Sequence, residues 1–68
     1  MEKVIRATQF VLEDENGNHR ASLGLAAGGS RLNLSDENGT VRAMLHVFKN
    51  GPVLSLFDEK GKTLWSQP

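Results

Sequence analysis

Phe10-Val11-Leu12-Glu13-Asp14-Glu15-Asn16-Gly17 decides the fold, because the chain says it three times. It returns as Leu32-Asn33-Leu34-Ser35-Asp36-Glu37-Asn38-Gly39 and as Leu54-Ser55-Leu56-Phe57-Asp58-Glu59-Lys60-Gly61. Asp14, Asp36 and Asp58 are spaced by 22 residues, and so are Gly17, Gly39 and Gly61. Arg20-Ala21 recurs as Arg42-Ala43, Leu23 as Leu45, and Gly29 as Gly51. A fixed period of this kind marks one supersecondary unit used repeatedly.

Within each unit apolar residues alternate with polar ones, the period of a strand with one covered face. Outgoing segments place them at even positions (Phe10, Leu12, Leu32, Leu34, Leu54, Leu56). Returning segments place them at odd positions (Ala21, Leu23, Leu25, Val41, Ala43, Leu45, Val47, Trp65). Directly paired residues share a face, so paired numbers must sum to an odd number. Two-residue hairpin loops satisfy this at Asn16-Gly17, Gly28-Gly29, Asn38-Gly39, Asn50-Gly51 and Lys60-Gly61. A three-residue loop with a bulge would set Leu12 against Arg20 and break the pattern. Asn-Gly favours a type I′ turn, which requires positive φ at both positions. Lys60 suits such a turn least.

The expectation is an all-β fold: a six-strand antiparallel up-and-down meander over residues 4–15, 18–27, 30–37, 40–49, 52–59 and 62–67. It implies the pairs Leu12–Ala21, Phe10–Leu23, Leu25–Leu32, Leu32–Leu45, Val47–Leu54 and Leu56–Trp65. The 68 residues form a single domain, and with no cysteine there is neither a disulfide nor a thiolate metal site to reinforce it. One half-covered sheet is too little core for such a chain. Oligomerisation should therefore cover the sheet faces; the alternative is a small closed barrel.

The outward face is expected to divide. Arg20 should sit beside Glu13 and Glu37, and Arg42 beside Ser35 and Glu59, as cross-strand charge pairs. Toward the last strands the same face carries Met44, Phe57 and Leu64 in one row, with Phe48 opposite Val53. Five large apolar residues on a face that should be wet are expected to form an interface between copies of the chain.

Other chemistry is weaker. Eight basic and eight acidic side chains balance to zero, which gives no electrostatic footprint for nucleic acid or an anionic membrane. No apolar run is long enough for a transmembrane helix, and the first residues lack the apolar stretch of a signal peptide, so cytoplasmic residence is expected. Two matches to the glycosylation pattern, at Asn33 and Asn38, then count as chance. The repeated Asp-Glu-Asn-Gly is turn chemistry rather than a calcium loop, since four residues cannot wrap an ion that takes six to eight oxygens. His19 and His46 are the imidazoles; His46 should lie near Ser55 and Ser66, but no acid is placed to orient it. Trp65 and Phe10 are core residues rather than a stacking platform. Gly24, inside a strand, suggests a bend or a close backbone approach. No cofactor or metal is implied. The reading is a non-enzymatic structural or interaction module that self-associates; the alternative is a barrel that binds a small ligand.

Asp-Glu-Asn-Gly-x-x-Arg-Ala-x-Leu, at 14–23 and 36–45, resembles a group of small bacterial proteins. They carry tandem Asp-x-Asn-Gly-Lys-x-Arg-Ala-x-Leu β-hairpin repeats separated by a Gly-Pro or Gly-Ser turn, as at Gly29-Ser30 and Gly51-Pro52. They often close with a tail like Lys62-Thr63-Leu64-Trp65-Ser66-Gln67-Pro68. The likeness covers residues 10–68 and implies a bacterial origin. The group is uncharacterised, so it implies no activity. Lys60 departs from the pattern, which usually has Asn there.

Overall fold

The computed structural model describes residues 3–26 and 28–67. They form one open antiparallel sheet of six strands: β1 (Gln9–Glu13), β2 (His19–Ala26), β3 (Gly29–Ser35), β4 (Val41–Phe48), β5 (Gly51–Phe57) and β6 (Thr63–Gln67). Strand order follows the chain, so β1 and β6 are the two edges and do not meet. The expected meander is present. The closed-barrel alternative is not what this chain forms. No helix among the described residues is long and apolar enough to cross a membrane.

Pairing inside each repeat matches the odd-sum rule: Leu12 faces Ala21, Phe10 faces Leu23, Leu34 faces Ala43, and Leu56 faces Trp65. The turns that produce it differ from those expected. Gly17 N–H donates to Asp14 O at 3.0 Å, and Asp14 N–H donates to Asn18 O at 2.9 Å. The loop is thus three residues, Glu15-Asn16-Gly17, with only the glycine at positive φ (83°). This is a type I turn closed by a left-handed glycine rather than a type I′ pair. Asn38-Gly39 and Lys60-Gly61 repeat it, with Asp36 and Asp58 in the place of Asp14. Asn16, Asn38, Asn50 and Lys60 all have negative φ, so Lys60 is under no strain.

A three-residue loop alone would have put every apolar side chain on the wrong face. A second irregularity cancels it. Glu13 pairs with His19 while Leu12 pairs with Ala21, so Arg20 is an extra residue bulged out of β2. Arg42 is bulged from β4 and Leu64 from β6 in the same way. Two one-residue offsets restore the odd sum that a two-residue loop would have given directly.

Between repeats the register is two residues from the expected one. Leu25 faces Ser30 rather than Leu32, and Val47 faces Pro52 rather than Leu54. Ala26 pairs with Gly29 and Phe48 with Gly51, so Gly29 and Gly51 stand in strands rather than in the expected Gly28-Gly29 and Asn50-Gly51 loops, and the second loop is Lys49-Asn50. Gly29 opens β3 because the Val47 carbonyl oxygen occupies the space a Cβ would need. Gly24 is also crowded, with the Gln9 side chain and Thr8 carbonyl lying over it. β1 is shorter than expected: its pairing ends at Gln9 with Gly24, although β2 continues to Ala26. The expected strand end at residue 27 lies outside the described residues.

Candidate interaction surface

Three rows of side chains cross the first face, perpendicular to the strands. The row nearest the aspartate turns reads Leu12, Ala21, Leu34, Ala43, Leu56, Trp65 from β1 to β6. The middle row reads Phe10, Leu23, Leu32, Leu45, Leu54, Gln67. The third has members on the four central strands: Leu25, Ser30, Val47, Pro52. No charged side chain enters any row. This is the face on which the alternation placed its core, yet it is open: Leu25 is 72% exposed, Leu12 63%, and even Leu45, on a central strand, 41%. Among the described residues no apolar side chain is buried. An apolar surface of this extent is rare on a monomer.

The reverse face is better covered, and its centre is polar. Val11, Ser22, Asn33, Met44, Ser55 and Ser66 form one row across all six strands. Ser55, buried, shares a hydrogen bond with Ser66 at 2.8 Å between Oγ atoms. His46 is buried beside it, with Nε2 3.1 Å from Asn33 Oδ1 and its ring edge-on to Phe48 at 5.3 Å. Ser55 therefore bonds a second serine and His46 an amide, which assembles no nucleophile, base and orienting acid. His19 stands apart at the start of β2.

The five residues expected to form an interface are all located, but Met44, Phe57 and Leu64 do not share a row. Met44 pairs with Ser55, and Val53 faces His46 rather than Phe48. Phe48 lies between Gly29 and Gly51. Met44 and Phe57 share a shallow depression with Val41 and His46. Val41 thus belongs to this face and not to the alternating set in which its odd number placed it; the bulge at Arg42 turns it over. Met44, Val53 and Phe57 are half-buried, while Leu64 on edge strand β6 is 65% exposed. Trp65 and Phe10 sit on opposite edges of the first face, in different rows, so they form no stacking pair.

The aspartates that head the turns are the functional residues of the hairpins. Asp14 Oδ1 accepts from Asn16 N–H and Asn18 N–H at 2.9 and 3.0 Å. Asp36 Oδ1 accepts from Asn38 and Thr40, and Asp58 Oδ1 from Lys60 and Lys62, at nearly the same distances. The Asn18 amide, opposed by partial desolvation and helped by the Asn16 amide, holds the Asp14 carboxyl below its ordinary range. At Asp36 desolvation pushes upward, and the Thr40 and Asn38 amides with Arg42 outweigh it, so that carboxyl is lowered too. Each Oδ1 is committed to two backbone amides, which accounts for the aspartate without a metal ion.

The bulged arginines lie across the junctions between repeats. Arg20 Nε donates to Ser35 O at 3.3 Å, joining β2 to β3. Arg42 Nε donates to Phe57 O at 2.9 Å, joining β4 to β5. Their other ends reach back toward Asp14 and Asp36, at 3.8 and 3.5 Å. The expected glutamate partners are replaced by the turn aspartates, because the bulge carries each arginine off the ladder row. The sequence signal was there: Arg20 and Arg42 recur with the aspartates, and Leu64 alone breaks the series.

No family model, curated protein or solved structure matches this chain.

Proposed function

We propose that this protein is a non-enzymatic structural or interaction module that works as a homo-oligomer, with its apolar sheet face covered by further copies of itself. One observation carries the reading. The face that the alternation marks as core is charge-free and bare, on a chain without a single buried apolar side chain among its described residues. Folding rests on burying such surface, and a second chain supplies what one layer lacks. The reading takes the protein to be cytoplasmic, independent of nucleic acid and membranes, and without a cofactor. The reverse-face residues Met44, Phe48, Val53, Phe57 and Leu64 would serve as a second, smaller contact.

Sedimentation of the wild type at micromolar concentration tests this. A discrete oligomer is expected, and Leu45→Lys should shift it toward monomer or aggregate. A stable, folded wild-type monomer would remove the proposal.

A further inference from the structure

We infer that the occupant of the apolar face is one second copy of this chain, packed face to face about a twofold axis that runs along the strands between β3 and β4. The inference rests on the self-association proposed above and adds which surface, how many copies and which residues meet.

Edge pairing is the first rival, and the junction arginines argue against it. Within the chain, each passage from one repeat to the next is tied by a bulged arginine that donates to a carbonyl of the following strand. On β6 the bulge holds Leu64, which has nothing to donate. The β6 edge lacks the device that makes such a junction, and edge pairing would leave the apolar rows wet in any case.

The face itself is large enough. Six strands at about 4.8 Å span about 29 Å, and three rows about 7 Å apart cover about 20 Å along the strands. The footprint is thus about 600 Å² per copy, or about 1,200 Å² from two, the lower bound for a stable specific interface. Two such sheets stack about 10 Å apart with nearly aligned strands, as in a sandwich.

Side-chain sizes choose the axis. The first row alternates large and small: Leu12, Ala21, Leu34, Ala43, Leu56, then Trp65. A twofold along the strands lays β1 over β6, β2 over β5 and β3 over β4. It sets Ala21 under Leu56 of the second copy and Leu34 over its Ala43, large into small throughout the middle of the row. Leu12 meets Trp65, and Phe10 meets Gln67 at the rim. A twofold across the strands would instead lay the first row on the third, which has no members on β1 or β6, and would leave Leu12 and Trp65 uncovered.

A double-mutant cycle on Ala21 and Leu56 tests this. In one chain these residues are three strands apart, about 14 Å, a separation at which effects normally add. Ala21→Leu and Leu56→Ala should each weaken dimerisation at least tenfold, whereas the double variant should recover most of the loss. Cross-linking supplies a readout that tolerates weakened folding, since the chain has no cysteine of its own. A21C chains mixed with L56C chains should be joined by a short bis-maleimide whose reach matches the roughly 10 Å between stacked sheets, while A21C alone should not, its two copies being displaced sideways by a further three strands, about 14 Å. Additive effects with no 21–56 cross-link overturn this arrangement, as does self-linking of A21C or a trimeric mass, while self-association itself would stand. A wild-type monomer overturns both.

Discussion

At the scale of single residues, the hairpins depend on an aspartate and a glycine rather than on asparagine. Asp14, Asp36 and Asp58 each tie two amides with one oxygen. Asp14→Ala and Asp36→Ala should therefore lower the denaturant midpoint of unfolding, as loss of a comparable capping oxygen does. Asn16→Ala and Asn38→Ala should cost little, because both asparagines have negative φ. Gly17→Ala and Gly39→Ala should cost roughly 1–2 kcal/mol, since their φ values of 83° and 85° lie in the left-handed region. The acid dependence follows from the same bonds. The Asn18 amide leads in lowering Asp14; at Asp36 desolvation opposes, but the turn amides and Arg42 prevail. A folded pKa below the unfolded one gives stability that is present above the ordinary carboxylate value of 3.8. It is lost as pH falls through the lowered value. Unfolding midpoints of the wild type should drop below about pH 4, and D14N/D36N should flatten that drop; an unchanged acid limb would mean these carboxylates are not linked to folding.

At the scale of strands and turns, the parity of the apolar residues made the faces legible and left two things hidden. A shift of two residues keeps every side chain on its face, so alternation was blind to the true register between repeats and to the loop at Lys49-Asn50. Nor was the paired irregularity visible, because the loop glycine and the bulged residue each move the register by one and together return it. The six strands, their order and, Val41 apart, the apolar face were readable, while the rows across the sheet and the arginine junctions required the loops and the bulge to be seen first. Two substitutions probe what was hidden. Gly29→Ala should destabilise by more than any other glycine replacement outside the turns, because the Val47 carbonyl fills the space; Gly28→Ala has open space but a φ of 90°, so its cost should be that of backbone strain alone. Arg42→Met keeps the aliphatic stem and removes the donor to Phe57 O, so about 0.5–1.5 kcal/mol should go. Leu64→Arg, by contrast, should form no such junction, since β6 has no further strand beside it for the guanidinium to reach. If Arg42→Met were silent, the arginine junctions would have no energetic role.

At the scale of the whole molecule, a sheet with one apolar face bare cannot be treated as a finished fold. A domain of this size buries a small share of its surface even when its core is closed, and here no described apolar side chain is buried at all. Folding and association should then be one event. When folded chains exist chiefly as assemblies, apparent stability follows protomer concentration by mass action. For a two-chain assembly each tenfold rise in concentration should add about 1.4 kcal/mol per dimer. Denaturation midpoints measured from about 1 to 100 μM should rise accordingly, and dilution alone should cost both secondary structure and mass. Leu34 and Ser35 separate the faces within this scheme. Leu34→Asp places a charge in the middle of the contact and should abolish folding at low micromolar concentration, since an unpaired buried charge is prohibitive. Ser35→Asp points the other way, on the side of the junction where Arg20 already reaches the Ser35 carbonyl, and should be mild. Equal damage from the two, or midpoints that ignore concentration, would mean that each chain finds its stability alone and that the bare face is tolerated rather than used.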